Sequence, residues 1–292
     1  MAHALLSPVL DRSGKPAPLK IATLILLMVP LIWLAVRFIA GDLGPRPLAE
    51  LNHQTGLWTI RLLFITLAIT PVRSLLRWPA LIQVRRMVGV TTALYAILHL
   101  LTYMADQAFV LDRVVNEILV RTYLTIGFAG LIGLLVLLAT STDGMLRRLG
   151  GKNWRLLHRL SYAIGAIGVV HFVWQSKLVV TQPTVMAGLF LWLMAYRLLD
   201  LWVGEKGRLP LWAIMGLAPL SGLLTVFGEA LYFWLRNGVD PGRVLNANLM
   251  LDAGLRPGWT VFAIVAGLAL AALMRRRRAM DRPASGLMAP VR

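Results

Sequence analysis

The chain has 292 residues, of which 58% are hydrophobic and only 15% are charged. Ordinary soluble domains have about a quarter of their residues charged, and one soluble core cannot bury this much apolar surface, whereas a bilayer can. The chain contains no cysteine, which excludes disulfides, thiolate-bound zinc, iron–sulfur clusters and covalently attached c-type haem. Any metal must therefore be held by histidine, carboxylate or methionine.

Eight apolar runs follow one another along the chain, each close to the ~20 residues that a helix needs to cross a bilayer. They are Ile21 to Ala40, Leu57 to Leu76, Val88 to Ala105, Ile118 to Thr140, Leu156 to Gln175, Thr184 to Val203, Leu211 to Leu235 and Trp259 to Met274. The pattern predicts an all-α, polytopic transmembrane helix bundle. We expect the first run to be a retained helix, because it is too long for a signal-peptide core and no small-residue cleavage site follows it.

The basic residues that give the chain its formal charge of +17 are predicted to lie mostly on one side of the membrane. If the N-terminus is cytoplasmic and each run crosses once, the cytoplasmic segments and helix ends carry 21 of the 30 Lys and Arg residues and the other side carries nine. The 21 are Arg12, Lys15, Lys20, Arg73, Arg77, Arg85, Arg86, Arg147, Arg148, Lys152, Arg155, Arg159, Arg197, Lys206, Arg208, Arg275, Arg276, Arg277, Arg278, Arg282 and Arg292. This bias predicts that both termini are cytoplasmic. It also explains the basicity by topology and by affinity for the lipid bilayer, with no nucleic acid as a partner.

The chain is predicted to divide near residue 205. Spans one to six contain all the histidines of the membrane region, and spans seven and eight contain none. A polar break, Gly204 to Pro210, separates the two groups. We therefore predict a six-helix core over residues 1–205 and a C-terminal extension over residues 206–292, made of two extra spans and a basic cytoplasmic tail.

Two of the five histidines share a predicted depth in the membrane. His99 lies 13 residues beyond Arg86 in the third span, and His171 lies 13 residues beyond His158 in the fifth. At about 1.5 Å per residue, both are ~20 Å from the cytoplasmic surface, in the outer half of the bilayer. Two imidazoles at one level on separate helices are suited to the axial positions of a haem iron. The alternative is that each ring only hydrogen-bonds a neighbouring helix.

His158 belongs to a different level, near the cytoplasmic surface and on the same predicted span as His171. A second haem there would need a partner on the third span, but the residue at that level is Arg86, which cannot ligate iron. On one ideal helix, His158 and His171 would also lie roughly 140° apart around the axis. Three roles stay open for His158: a ligand of a second centre with another partner, a contact to a flavin or quinone, or a group that only caps charge near the lipid headgroups.

Other polar and aromatic residues near the span ends allow two interpretations. Arginines at the cytoplasmic mouth, including Arg77, Arg85 and Arg86, serve topology and lipid anchoring, or cradle haem propionates or a flavin phosphate. The tryptophans, Trp154 among them, cluster near span ends as interfacial anchors do. Glu229 is an intramembrane carboxylate, but it lies about two turns from Arg236, and we favour the interpretation that it reaches the surface by snorkelling.

The chain shows no P-loop, dinucleotide fingerprint, HExxH motif or nucleophile elbow in a suitable context. Nothing in it is suited to bind NAD(P)H. Electrons must therefore come from a separate protein or from the membrane quinone pool, and the chain is expected to be an electron-transfer subunit of an oxidoreductase system rather than its catalytic subunit.

A series of ordered motifs between about residues 20 and 205 resembles one family. They are Asn52 to Gly56, Thr70 to Arg73, Arg85 to Gly89 running on to Leu98-His99-Leu100, Arg121 to Gly127, Thr140 to Thr142, Leu149-Gly150, Trp154 to His158, and His171 to Trp174 with Lys177. The chain resembles the MsrQ (YedZ) family of haem-binding membrane subunits, part of the ferric-reductase-like transmembrane group. Several motifs at consistent spacing make this resemblance specific.

The resemblance implies a cofactor set and partners. Such proteins bind b-type haem and FMN in the bacterial inner membrane, and they pass electrons to a periplasmic molybdopterin subunit, MsrP, which reduces methionine sulfoxide in oxidised periplasmic proteins. The electron donor would be a cytoplasmic flavin reductase or the quinone pool. The family's haem histidines correspond to His99, His158 and His171. The candidate cofactor contacts are Arg77, Arg85, Arg86 and Trp154.

Two other functions remain as alternatives. A ferric reductase or a cytochrome b561-like, quinone-linked electron carrier would have the same core but another acceptor. A non-redox transporter is a further alternative, although the inverted repeats of many transporters are not seen in this sequence. The two extra spans depart from the family pattern and leave open which faces are free for partners.

Overall fold

The computed structural model describes residues 9–11, 13–176, 180–203, 209–250 and 254–280, with side chains up to residue 278. Several predicted features lie outside these ranges. They are His3, Arg12, the motif residue Lys177, the polar residues 204–208 with the predicted boundary at 205, and the basic residues Arg282 and Arg292. The division into 1–205 and 206–292 stays a prediction.

Within the described ranges the chain forms helices, with no strand beyond one isolated bridge between Leu10 and Pro16. The helices are α1 (Pro18–Ile39), α2 (Pro47–Leu75), α3 (Arg85–Asp106), α4 (Leu111–Val120), α5 (Thr122–Ala139), α6 (Asp143–Leu157), α7 (Leu160–Gln175), α8 (Thr181–Trp202), α9 (Leu211–Asn237), α10 (Pro241–Leu249) and α11 (Pro257–Met280), with a short 3-10 helix over Pro79–Gln83. The predicted all-α class is confirmed.

Seven of these helices are long and apolar enough to cross a membrane, namely α1, α2, α3, α5, α8, α9 and α11. The pair α6 and α7 passes the same test as one span bent by 45°, which gives up to eight crossings. The chain is thus a multi-pass membrane protein. Four helices begin at a proline, whose missing N–H costs nothing in the first turn: α1, α2, α10 and α11.

The fifth predicted span differs from the expectation of one continuous helix. α6 ends at Leu157 with His158 as its C-cap, and α7 begins at Leu160. Gly150 inside α6 also has a positive φ of 72°, a backbone conformation that glycine adopts readily. The prediction that His158 and His171 lie on one helix is therefore wrong: the break at His158 and Arg159 separates them, so their angular offset on an ideal helix does not apply.

The chain divides into two compact units by its internal packing. The first contains residues 1–70 and 80–186. In it, α5 packs against α7 and α3, and α4 packs against α5. A buried cluster that includes Leu27, Leu62, Val88 and Tyr95 ties α1, α2 and α3 together, and the Tyr95 hydroxyl donates to the backbone carbonyl of Leu27 at 3.0 Å.

The second unit contains residues 71–79 and 187–292. Its helices α9 and α11 cross with their backbones in near contact: a Cβ on Gly222 would lie 3.3 Å from the carbonyl oxygen of Gly258, as is typical of small-residue crossings between membrane helices. Glu229 is buried, and its carboxylate accepts a hydrogen bond from the Asn248 side chain at 2.9 Å. The snorkelling prediction for Glu229 is therefore wrong, because α10 covers it.

Candidate functional site

His99 on α3 and His171 on α7 face one cavity of about 400 Å³ in the first unit. Their ring centroids are 6.4 Å apart and the ring planes are inclined by 73°. His99 lies 14 residues after the start of α3 and His171 lies 11 residues after the start of α7, so each ring is carried well inside its helix. The structure thus brings together the two residues for which the sequence predicts a common depth.

Each ring is held by a backbone carbonyl. His99 Nδ1 lies 2.8 Å from the carbonyl oxygen of Asn52 on α2, and His171 Nδ1 lies 2.7 Å from that of Tyr123 on α5. Since a carbonyl can only accept, Nδ1 carries the proton and donates in both residues. The Nε2 lone pair of each neutral ring stays available, which is the usual tautomer of a metal-binding histidine.

The separation of the rings fits a metal bound between them. A metal–imidazole bond is about 2 Å long and each nitrogen lies roughly 1 Å from its ring centroid, so two ligands on opposite sides of one metal place their centroids about 6 Å apart. The observed 6.4 Å agrees with this value. Two imidazoles supply only two ligands, and the described residues contain no group of three or more His, Cys, Asp or Glu side chains that could hold a metal ion. A haem, whose macrocycle would supply the other ligands, therefore fits this pair.

A glycine on a neighbouring helix makes room for each ring. A Cβ on Gly56 of α2 would lie 2.8 Å from Cε1 of His99, and a Cβ on Gly127 of α5 would lie 2.6 Å from Cε1 of His171. Both distances are shorter than real side-chain contacts, so any other residue would push the imidazole away. These two glycines therefore set the position of the rings.

Hydroxyl groups add a second layer around His99. Thr55 Oγ1 lies 3.4 Å from His99 Nδ1 and 3.2 Å from Thr102 Oγ1. Thr102 in turn donates to the backbone carbonyl of His99 at 2.9 Å. Such outer contacts fix the orientation of a ligating ring, and they make the surroundings of His99 more polar than those of His171, whose ring stacks on Tyr123 at 6.5 Å between centroids.

His158 lies on a second cavity of about 270 Å³ in the same unit, together with Trp154, Arg85 and Arg86. Its ring stacks on the Trp154 indole, with centroids 3.8 Å apart, and its Nε2 lies 3.3 Å from Thr140 Oγ1. The indole itself donates to the carbonyl of Thr140 at 2.8 Å. We call this the inner cavity and the bis-histidine one the outer cavity. Leu63 and Leu134 line both.

The candidate arginines have different surroundings. Arg86 forms an ion pair with Asp143, and Arg85 donates to Thr70 Oγ1 at 3.3 Å. Both line the inner cavity. Arg77 belongs to the second unit, has a positive φ of 49°, and is not among the described residues that line either cavity. Within the first unit the structure therefore brings together four of the predicted cofactor contacts, namely Arg85, Arg86, Trp154 and His158.

Several residues of the outer cavity do not follow from the sequence. Gly56 and Gly127 lie within the family-like motifs, but nothing in those motifs says which ring they face. Tyr103 and Asp106 lie four and seven residues after His99 and so share its helix face, a signal that could have found them. The carbonyls of Asn52 and Tyr123 could not have been found, because every residue has a carbonyl and only packing selects these two.

Comparison with known proteins agrees with this architecture. The family described as "Ferric reductase like transmembrane component" matches residues 55–169. That range contains His99, His158 and both glycines. No solved structure matches the chain.

Curated relatives carry the name "Protein-methionine-sulfoxide reductase heme-binding subunit MsrQ". The protein of Rhodospirillum rubrum is 41% identical over 189 residues, which is 64% of this chain and 88% of the relative. That of Xanthomonas axonopodis is 44% identical over 53% of this chain and 71% of its own length, and that of Azospira oryzae is 36% identical over 62% and 79%. With such similarity over nearly the whole length of a relative, the chain belongs to the MsrQ family.

Proposed function

We propose that the chain carries electrons across the bacterial inner membrane through a b-type haem held by His99 and His171, as the membrane subunit of a methionine sulfoxide reductase system. The observation that carries the proposal is the pair of imidazoles 6.4 Å apart at the outer cavity, with both Nδ1 atoms occupied by carbonyls. A haem bound there supplies one-electron chemistry at its iron. The protein orients the two ligands and surrounds them with apolar side chains.

The direction of transfer follows from the charge distribution. With both termini in the cytoplasm, His99 and His171 lie in the outer half of the membrane and the inner cavity lies between them and the cytoplasm. An electron that enters at the inner cavity reaches the outer one past Leu63 and Leu134, which line both. The acceptor that we propose is a periplasmic, MsrP-like molybdopterin subunit, and the donor is a cytoplasmic flavin reductase or the quinone pool.

The inner cavity is our proposed place for FMN. His158 and Trp154 form a stacked aromatic wall, and Arg85 and Arg86 offer positive charge to a phosphate. An aromatic wall suits the flat isoalloxazine ring. Arg86 is already paired with Asp143, whose second carboxylate oxygen is buried and has no hydrogen-bond partner among the described residues, so an added phosphate would compete with an existing ion pair.

Substitutions in the aromatic wall should reduce flavin binding without reducing haem binding. We expect Trp154→Phe and His158→Ala to lower the flavin content of the purified chain by about tenfold or more while leaving the outer haem bound, because both residues line the inner cavity and not the outer one. Trp174→Phe is the matched control, since Trp174 is exposed and lines neither of the two cavities. Loss of haem with retention of flavin would contradict this assignment.

The experiment that tests the function is electron transfer through vesicles. The purified chain should show low-spin b-type haem in a reduced-minus-oxidised spectrum. Reconstituted with haem, it should carry electrons from reduced flavin outside the vesicles to ferricyanide enclosed inside, and the haem-free chain should not. Adding the periplasmic reductase of the same bacterium should make methionine sulfoxide reduction depend on this chain. A chain that binds no haem when haem is supplied would refute the proposal.

A further inference from the structure

The lining of the outer cavity is polar on one side of the two histidines and apolar on the other. Seven residues with hydrogen-bonding side chains lie towards one end: Arg46, Asn52, His53, Tyr103, Asp106, Tyr123 and Gln175. In α3 and α7 these residues follow the histidines, and in and before α2 and in α5 they precede Gly56 and Gly127, so all lie beyond the rings on the outer side. Leucine and isoleucine side chains line the other end, including Leu63, Leu131, Leu134, Ile164 and Ile167.

The polar end contains a hydroxyl without a partner. The Tyr103 hydroxyl is buried, and no described residue accepts a hydrogen bond from it. Tyr103 lies one turn beyond His99, about 6 Å along the helix axis. A buried hydroxyl in this state destabilises the chain unless a ligand accepts its hydrogen bond. The cavity therefore offers a donor at the height where a group bound to His99 has its outer edge.

Positive charge lies at the same end. Arg46 lies 3.9 Å from the carboxylate of Asp106, too far for a hydrogen bond, and its side chain is 78% exposed. His53 lines the cavity beside Asn52, whose carbonyl holds His99. Among the described residues, Asp106 is the one acidic side chain that lines this cavity. An anion bound here would compete with the Asp106 carboxylate for Arg46.

We infer that Arg46, His53 and Tyr103, which we call the outer rim, bind the carboxylate groups of the macrocycle held by His99 and His171. The inference rests on the proposed function. A carboxylate cannot be buried unpaired among the leucine and isoleucine side chains of the apolar end. The arginines of the inner cavity are too distant to serve instead, because Arg86 lies 13 residues, or about 20 Å, from His99 on the same helix. The charged edge of the cofactor thus faces the acceptor side of the membrane.

The test compares haem with its dimethyl ester, in which both carboxylates are capped and neutral. The full chain, purified without haem in detergent, is titrated with each compound. We expect the wild type to bind haem about tenfold more tightly than the ester, since hydrogen bonds to charged groups contribute this much or more. Arg46→Met and Tyr103→Phe should each reduce that preference and leave the affinity for the ester unchanged.

A second measurement distinguishes cofactor binding from a structural role. Tyr103→Phe should raise the thermal midpoint of the haem-free chain, because it removes an unsatisfied buried hydroxyl. Tyr95→Phe is the control: it removes a hydroxyl that donates to Leu27 and does not line the cavity, so it should lower the midpoint and keep the preference for haem.

Two results would overturn the proposed role of the outer rim. One is equal affinity of the wild type for haem and for its dimethyl ester, and the other is loss of the preference for haem in Arg85→Met instead of Arg46→Met. Binding of neither compound would overturn the haem proposal, and this inference with it. The failure of the rim alone is therefore distinguishable from the failure of the proposed function.

Discussion

Alanine at His99 or at His171 is expected to remove the low-spin haem from the chain while leaving the helices folded. Each substitution would delete one of the two proposed haem ligands. Changes that only reorient a ligand already weaken metal sites by about 10–100-fold, so removal of the ligand should exceed this range. The measurement is the haem content per chain after purification, read from the reduced-minus-oxidised spectrum and compared with helix content by circular dichroism.

The matched control is alanine at His158, which lies on the inner cavity with its ring 3.8 Å from Trp154. That variant should keep the outer haem with an unshifted spectrum. If both His99→Ala and His171→Ala retained full, unshifted haem, the assignment of the two ligands would be wrong. A spectrum altered only in His158→Ala would move the haem to the inner cavity.

Alanine at Gly127 or at Gly56 is the second substitution with a large expected effect. The added methyl carbon would lie 2.6 Å from His171 Cε1 in the first case and 2.8 Å from His99 Cε1 in the second, so the ring must turn away from its carbonyl partner. We expect haem affinity to fall by about 10–100-fold, as for other changes that misorient a ligand. Glycine is about 0.5–1 kcal/mol less favourable than alanine in a helix, so the helix content of these variants should not fall with haem affinity.

Loss of haem with retained helix content is the readout. Haem content and the helix content by circular dichroism are measured for each variant. Gly216→Ala in α9 serves as the control because a Cβ there meets no described atom within 4 Å, and it should leave haem content unchanged. If Gly127→Ala and Gly56→Ala bound haem as tightly as the wild type, the glycines would not be what positions the rings.

The depth of the two histidines can be predicted from the sequence because helix rise and the cytoplasmic charges both act locally. Each helical residue adds about 1.5 Å, so a spacing of 13 residues corresponds to a depth of ~20 Å. This depth is the same for His99 and His171, which is enough to pair them. Helix rise also places His158 at another level. It cannot show that the helix ends at Leu157, because the apolar run from Leu156 to Gln175 continues through the break.

The inner cavity shows a second limit of prediction from the sequence. The sequence suggests that arginines near the cytoplasmic surface could cradle a phosphate, and Arg85 and Arg86 do line a cavity with His158. Arg77 is close to Arg85 and Arg86 in the sequence, but Arg77 belongs to the second unit. Nearness along the chain does not determine packing once a turn intervenes, as here at residues 76–79.

The amino-acid sequence by itself determined that this is a helical membrane protein, how many times it can cross, and which two imidazoles share a level. These properties depend on hydrophobicity, charge and helix rise, which are summed residue by residue. Only the tertiary structure decided that the rings lie 6.4 Å apart, that the carbonyls of Asn52 and Tyr123 orient them, and that Gly56 and Gly127 leave them room. Those facts depend on how α2 and α5 pack against α3 and α7, and packing joins residues that no local pattern connects.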